Sequence, residues 1–237
     1  MPAILVEHCY VKGSDIQFID SDVKLQKLAE ADGKAIVDYY NLKPKNYRKK
    51  ADNTPFEDVY EGEWYVNAIE YVYKNNIIKG YNNIIFAPED KLTRGMLVTI
   101  LYRMEGEQAV TGTPKFPDVQ DSSQYYYKAV KWATDKNIIS GYNEGTFGPN
   151  DYITREQLAV ILKKYAQYKG KDLSGYDNLA RFSDRYSISD YAISSMRWAV
   201  GAGVITGYAD GTLNAYGYAT RAEASAMIQK YCDKVGR

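Results

Sequence analysis

Residues 56–81 read FEDVYEGEWYVNAIEYVYKNNIIKGY, residues 116–142 read FPDVQDSSQYYYKAVKWATDKNIISGY, and residues 182–208 read FSDRYSISDYAISSMRWAVGAGVITGY. Each stretch begins with F-x-D, continues through a region of helical apolar spacing and ends in Gly-Tyr. A loop and a Thr-Arg pair then follow, and no gap is needed between the glycine and the arginine in any copy. The chain therefore contains three copies of a unit of about 55 residues, which we call repeats 1, 2 and 3.

The sequence of each repeat predicts two helices joined by a loop. In repeat 1 the first helix is indicated by apolar residues at helical spacing, such as Ala68, Ile69 and Val72. We expect the glycine of Gly-Tyr to cap the end of that helix. The second helix should begin after the threonine, because Thr-x-x-Glu or Thr-x-x-Gln is the pattern of a capping box. Two short helices bury too little apolar surface to be stable alone, so the three repeats should pack around a shared centre.

The composition excludes several classes of function. Lys and Arg total 30 and Asp and Glu total 30 in the 237 residues, so no net field favours nucleic acid. No apolar run reaches the roughly 18 residues of a membrane-spanning helix, which predicts no membrane insertion. The single histidine, His8, and two distant cysteines, Cys9 and Cys232, predict no zinc site and no disulfide framework. We expect no metal and no cofactor, and any anion recognition must be local.

An arginine follows the capping threonine in every repeat, as Arg94, Arg155 and Arg221. A cation is unfavourable in the first turn of a helix, where the dipole is positive. The arginine should therefore face something negative. One alternative is an external carboxylate or phosphate, bound together with the helix N-terminus. The other is an internal pair with the aspartate of F-x-D. Those aspartates are Asp58, Asp118 and Asp184.

Aromatic residues recur at three positions of the repeat. Tyr81, Tyr142 and Tyr208 follow the glycine at the mouth of the loop, where a ring could stack on the face of a sugar. Two other sets lie on or just before the first helix, and we expect them to belong to the core. They are Trp64, Tyr125 and Tyr191, and then Tyr71, Trp132 and Trp198.

The pattern F-x-D-V, helix, G-Y-x-x-G-T-F-x-P and T-R-x-[EQ] resembles the S-layer homology (SLH) domain. Three copies, placed at 56–110, 116–170 and 182–235, match the usual arrangement of that family. The resemblance implies a mainly α fold, in which three helix-loop-helix repeats form a pseudo-threefold spindle around a central helical bundle, with grooves between repeats.

The resemblance also implies a role. It is noncovalent anchoring outside the cell, in the cell wall or S-layer of a Gram-positive-type bacterium. The implied partner is secondary cell wall polysaccharide or a peptidoglycan-linked glycan, often carrying pyruvylated N-acetylmannosamine. The carboxylate of that ketal would face the arginines. The expected binding residues are Arg94, Arg155, Arg221, Asp58, Asp118, Asp184, Gly80, Gly141, Gly207, Tyr81, Tyr142 and Tyr208.

Residues 1–43 differ from the repeats and are followed by a basic, proline-bounded linker at 44–55. They resemble the C-terminal strand and helix of a zinc-dependent N-acetylmuramoyl-L-alanine amidase, and Glu7 matches a glutamate that assists catalysis in that family. The zinc ligands of the family are absent here, so we expect no catalytic residue and no amidase activity. Met1–Tyr10 also lack the pattern of an export signal.

The three copies are not identical, which predicts grooves of unequal strength. Repeat 3 has Thr220-Arg221-Ala222-Glu223 and repeat 2 has Thr154-Arg155-Glu156-Gln157, whereas repeat 1 has Thr93-Arg94-Gly95-Met96 and lacks the acid. Two alternatives to the anchoring role stay open. The chain could be the C-terminal part of a peptidoglycan-cleaving amidase, or a structural module for S-layer assembly. The oligomeric state is not predicted.

Overall fold

The computed structural model describes residues 48–236, and Glu7 with the amidase-like segment lies outside them. All of the described residues except Arg48 belong to one unit that begins at Lys49. Within that range the fold is mainly α, without β-strands, as the repeats predict. The helices are α1 (Val66–Lys74), α2 (Arg94–Met104), α3 (Tyr127–Asp135), α4 (Arg155–Tyr168), α5 (Ile193–Gly201) and α6 (Arg221–Lys234), with a 3-10 turn at Arg185–Ser187.

The second helix of each repeat begins where the sequence predicts. Thr93, Thr154 and Thr220 are the N-cap residues of α2, α4 and α6, and each hydroxyl accepts a backbone N–H three residues on. The reciprocal bond from the third-position side chain completes a capping box in α4 and α6. Met96 occupies that position in α2 and has no oxygen with which to accept this bond.

The prediction that the glycine of Gly-Tyr caps the end of the first helix is wrong. α1 ends at Lys74, and its left-handed residue is Asn76 (φ 56°), four positions before Gly80. The glycines of Gly-Tyr are instead required by space. A Cβ added at Gly141, for example, would lie less than 3.0 Å from the ring of Phe116 and from the carbonyl oxygen of Thr146. These glycines therefore let the loop cross the phenylalanine of F-x-D.

The helices pair between repeats in a cycle. The second helix of repeat 1, α2, packs on α3 of repeat 2, and α4 of repeat 2 packs on α5 of repeat 3. The cycle closes because α6 of repeat 3 packs on α1 of repeat 1. This order is the pseudo-threefold arrangement expected for an SLH-like spindle.

A ring of three backbone hydrogen bonds joins the repeats just before the capping threonines. Leu92 N–H donates to Ala219 O at 2.8 Å, Ala219 N–H to Ile153 O at 3.0 Å, and Ile153 N–H to Leu92 O at 2.9 Å. One buried apolar cluster extends through all three repeats, with Trp132 and Trp198 among its largest members. Each repeat thus completes the core of its neighbours.

Two further observations concern the described part of the chain. Ala51, within the predicted linker, is buried and its N–H donates to Val59 O at 2.8 Å, so the end of that segment joins repeat 1. None of the helices between residues 48 and 236 has the length and apolarity to cross a membrane.

Candidate functional site

Three surface grooves lie between the repeats, and residues from all three repeats line each of them. We number a groove by the repeat that supplies its Gly-Tyr pair. Groove 1 combines Gly80 and Tyr81 with Arg221 and Tyr125. Its volume is about 310 Å³.

The other two grooves combine the same residue types, with each repeat taking over the part of the next. Groove 2 combines Gly141 and Tyr142 of repeat 2 with Arg94 of repeat 1 and Tyr191 of repeat 3, in a volume of about 620 Å³. Groove 3 is the largest of these at about 830 Å³. It combines Gly207 and Tyr208 of repeat 3 with Arg155 of repeat 2 and Trp64 of repeat 1.

The three arginines are buried and held in the same way. Nε of Arg94 donates to Phe147 O at 2.9 Å, that of Arg155 to Leu213 O at 2.9 Å, and that of Arg221 to Phe86 O at 2.7 Å. Each guanidinium also stacks on the tyrosine of the groove that it enters. The distances to the ring centres are 4.4 Å for Tyr142, 4.5 Å for Tyr208 and 4.6 Å for Tyr81.

The aspartates of F-x-D are bonded to the loops and do not line the three grooves. Asp118 accepts hydrogen bonds from the backbone N–H groups of Phe147 and Gly148, and Phe147 is also the residue whose carbonyl binds Arg94. Asp58 and Asp184 make the equivalent bonds in repeats 1 and 3. The aspartate therefore fixes the loop residue that in turn fixes the arginine. The internal Arg-Asp pair, one of the two alternatives for the arginines, is not formed among the described residues.

The helix N-termini are occupied by the protein itself. N–H groups of Arg94 and Gly95 donate to the carbonyls of Asp151 and Pro149 in the next repeat, and the third N–H donates to the Thr93 hydroxyl. The same pattern recurs at α4 and α6. Only the guanidinium, and not the helix N-terminus, is left to meet an anion.

Arg94 and Arg221 carry buried charge without an acidic partner. Among residues 48–236 neither guanidinium has a carboxylate within 4.0 Å, and burial lowers the pKa of both side chains. Arg155 differs, because its Nη1 lies 3.3 Å from Oε1 of Glu223. Glu223 also accepts the hydroxyl of Tyr208, whose pKa is raised to about 12 by burial and by that carboxylate.

The interpretation of Trp64, Tyr125 and Tyr191 as core residues is wrong. Their exposed fractions are 62%, 54% and 59%, and each forms an edge of a groove. The sequence spacing could not separate them from the core, because the residue after each one is buried. In the second set, Trp132 and Trp198 are buried in the core, as predicted, and Tyr71 is half-buried and packs against it.

Sequence reasoning missed a second cation in every groove. Arg103, Lys164 and Lys230 stand ten residues after the capping threonine of their repeats and line grooves 1, 2 and 3. Lys164 and Lys230 donate to the hydroxyls of Ser140 and Thr206, each directly before the groove glycine. The signal was present in the alignment of the repeats, because all three positions carry a basic residue.

The family model for the S-layer homology domain matches residues 55–95, 115–159 and 181–225, which together make up more than half of the chain. The chain is also similar to an endoglucanase of Bacillus sp. (strain KSM-635), with 28% identity over 78% of this chain and 19% of that protein. Similarity to a cellulosome-anchoring protein of Acetivibrio thermocellus is 29% over 66% of this chain and 35% of that protein.

A surface-layer 125 kDa protein of Lysinibacillus sphaericus is 29% identical over 59% of this chain and 11% of its own length. In all three cases the chain spans well under two thirds of the relative.

Proposed function

The chain belongs to the S-layer homology domain family, and on that premise we propose that it is a noncovalent anchoring module that binds acidic cell wall polysaccharide in its inter-repeat grooves. The observation that carries the proposal is the pair of buried guanidinium groups, Arg94 and Arg221, that face grooves without a carboxylate partner. A buried charge without a counter-ion is costly, and an incoming anion would reduce that cost.

Arginine favours a planar anion as its ligand. A carboxylate can accept two parallel N–H bonds from one guanidinium, which gives both strength and orientation. In groove 2, Nε of Arg94 is used by Phe147 O, whereas its two Nη groups have no hydrogen-bond partner among the described residues. The Nη groups are therefore the donors that would bind a ligand carboxylate, such as the pyruvate ketal of N-acetylmannosamine.

Aromatic and backbone groups would bind the sugar itself. Tyr142 stacks on the guanidinium and Tyr191 also lines groove 2, so a pyranose ring could pack against an aromatic side chain there. Gly141 also lines groove 2, where its backbone could meet the hydroxyl groups of a sugar. The corresponding residues are Gly80, Tyr81 and Arg221 in groove 1, and Gly207, Tyr208 and Arg155 in groove 3, where Glu223 already pairs with the guanidinium. Asp58, Asp118 and Asp184 act as positioning residues.

Several grooves on one polymer would raise the apparent affinity. Once one sugar of a repeating polysaccharide is bound, the next groove meets its ligand at a high effective concentration. Anchoring to the wall outside a Gram-positive-type cell then needs only modest affinity per groove. The relatives named for cellulosome anchoring and for a surface layer support that location.

Calorimetric titration with purified secondary cell wall polysaccharide tests the proposal. We expect binding that is lost after mild acid removes the pyruvate ketals. The matched control is the same polysaccharide carried through a mock treatment that leaves the ketals in place. Binding that survives ketal removal would refute the role of the carboxylate, and absence of binding to either form would refute the anchoring role.

A module for lateral assembly is the second candidate, favoured by the similarity to a surface-layer protein. In that case the repeats would bind each other or neighbouring chains rather than a glycan. Sedimentation of the purified chain over a range of concentrations separates the two. Self-association without affinity for polysaccharide would support assembly.

A further inference from the structure

A buried glutamate lies behind the edge of groove 2 without lining the groove itself. Glu156, the second residue of α4, is only 1% exposed and has no cation within 4.0 Å among residues 48–236. Its carboxylate accepts three hydrogen bonds from repeat 3. Ser189 donates its N–H at 3.0 Å and its hydroxyl at 2.7 Å, and Tyr191 donates its hydroxyl at 2.8 Å. A buried carboxylate without a cation is therefore bonded to the aromatic residue at the edge of groove 2.

In grooves 1 and 3 an aromatic neighbour supports the edge residue. The rings of Tyr125 and Tyr126 meet edge-on with 5.0 Å between their centroids, and those of Trp64 and Tyr65 do so at 5.4 Å. Neither Tyr125 nor Trp64 makes a side-chain hydrogen bond within the described part of the chain. In these two grooves the edge ring is thus supported by the ring of the next residue.

Groove 2 lacks that aromatic neighbour. The residue after Tyr191 is Ala192, which is fully buried and has no ring. The hydrogen bond to Glu156 takes the place of the ring contact, and burial together with this bond raises the pKa of the Tyr191 hydroxyl. Hydrogen bonds to a carboxylate are among the stronger ones in proteins, so this bond can fix a ring that is otherwise mostly exposed.

Two positions change size together across the three interfaces. One is the second residue of the second helix, and the other is the N-cap residue of the first helix in the next repeat of the cycle. A Cβ added to Gly95 would lie 3.1 Å from the ring of Tyr126, so a large residue at one position requires a small one at the other. The three corresponding pairs are Gly95 with Tyr126, Glu156 with Ala192, and Ala222 with Tyr65.

We propose that Glu156 is a positioning residue for ligand binding in groove 2, where it holds the ring of Tyr191 in place of the aromatic neighbour found in the other grooves. The inference rests on the proposed function, since it concerns how the same groove binds its sugar. A side chain that becomes immobile only on binding lowers the affinity, whereas a ring that is already fixed does not. Glu156 acts through Tyr191 and does not itself contact the ligand.

Site-resolved NMR titration tests the proposal. In protein with ring-labelled tyrosine, Tyr142 reports on groove 2, Tyr81 on groove 1 and Tyr208 on groove 3. The probe is the methyl glycoside of pyruvylated N-acetylmannosamine. Glu156→Ala gives α4 the residue that α6 has at this position. We expect the Kd in groove 2 to rise about 3- to 10-fold in this variant and to stay unchanged in grooves 1 and 3.

Two further changes separate positioning from stability. Tyr191→Phe keeps the ring but removes its bond to Glu156, so it should weaken binding in groove 2 as Glu156→Ala does. Combining the two changes should weaken binding no further, because both remove the same interaction. Adding Ala192→Tyr to Glu156→Ala reproduces the pair found beside groove 3 and should restore the affinity. Melting curves verify that each variant is folded.

The outcomes distinguish this inference from the proposed function. An unchanged Kd in groove 2 of Glu156→Ala, additive losses in the combined variant, or equal losses in all three grooves would overturn the positioning role and leave the proposed function intact. A folded Glu156→Ala, Ala192→Tyr variant without recovery would also overturn it. If the probe moves none of the three tyrosine signals of the wild type, the proposed function fails as well.

Discussion

Groove 2 and groove 3 are made from equivalent residues and yet differ in the charge beside the arginine. Each has a buried arginine stacked on a tyrosine, with ring distances of 4.4 Å and 4.5 Å, and each has a lysine ten residues after the capping threonine. In groove 2 the arginine has no acidic partner among the described residues, whereas in groove 3 it is paired with Glu223.

The comparison separates the shared frame of the grooves from the side chain that sets the charge of each one. The frame comes from main-chain bonds, from the glycine before the tyrosine and from the F-x-D aspartate, all of which recur in the three repeats. The charge beside the arginine depends on one side chain that the capping box tolerates as either Gln or Glu. A repeat protein can in this way diversify its sites without altering its core.

Breaking the shared frame should have the largest effect. Gly141→Ala forces a Cβ against Phe116 and Thr146 at a residue with φ +72°, and we expect a loss of about 4 kcal/mol in the free energy of unfolding. Urea denaturation measures it. Gly145→Ala is the control, because φ is +86° there but nothing lies within 4 Å, and it should cost about 1 kcal/mol. Equal losses would show that conformation rather than space requires Gly141.

Replacing the groove arginine should lower the free energy of unfolding more in groove 3 than in groove 2. Arg155→Met leaves Glu223 without its ion-pair partner, and we expect a loss of about 3 kcal/mol. Arg94→Met removes a charge that has no acidic partner, and its cost should stay near 1 kcal/mol, from the bond to Phe147 O. Thermal and urea unfolding measure both. Combining Arg155→Met with Glu223→Gln should restore part of the loss, and failure to do so would argue against the ion pair as its cause.

Arg94→Met should weaken ligand binding more than Arg155→Met does, which is the reverse of their order in stability. Arg94→Met removes the donors to the ligand carboxylate in groove 2, so affinity for the pyruvylated polysaccharide at that groove should fall by about 10- to 100-fold, as expected for charge-assisted bonds of about 1.5–3 kcal/mol. Arg155→Met should reduce acidic binding less, because Glu223 already pairs with that guanidinium. Calorimetry on folded fractions of each variant compares them, and an equal or larger loss in Arg155→Met would contradict the contrast between the grooves.

The smallest expected effect is on the pKa of Tyr208 in groove 3. The pKa of Tyr208 is raised to about 12 by burial and by Glu223, so its contribution to stability is complete below pH 10 and is lost as the pH rises through 12. Glu223→Gln should lower this pKa while burial keeps it above 10. NMR titration of ring-labelled tyrosine follows the change. An unaltered pKa in the variant would leave burial as the whole cause.

Local signals in the sequence predicted much of this architecture. The threonine caps of the second helices and the apolar positions of the first helix of repeat 1 were correct because both depend on neighbours a few residues away. The glycine of Gly-Tyr was misassigned, since its need for space arises from Phe116 or its equivalents far back in the repeat. The composition of each groove could not be predicted from one repeat, because its arginine, tyrosine and edge aromatic come from three.

The cyclic pairing of helices has a consequence for how many repeats a chain can hold. Each repeat offers one surface to its successor and a different surface to its predecessor, which makes the contact heterologous, and α6 on α1 brings this series back to its start. A heterologous contact forms a closed ring when its rotation brings the series back to the start. A chain with two repeats would leave one contact surface uncovered at each end, whereas a fourth repeat would have no vacant surface to join. Three repeats therefore satisfy every contact surface of the unit.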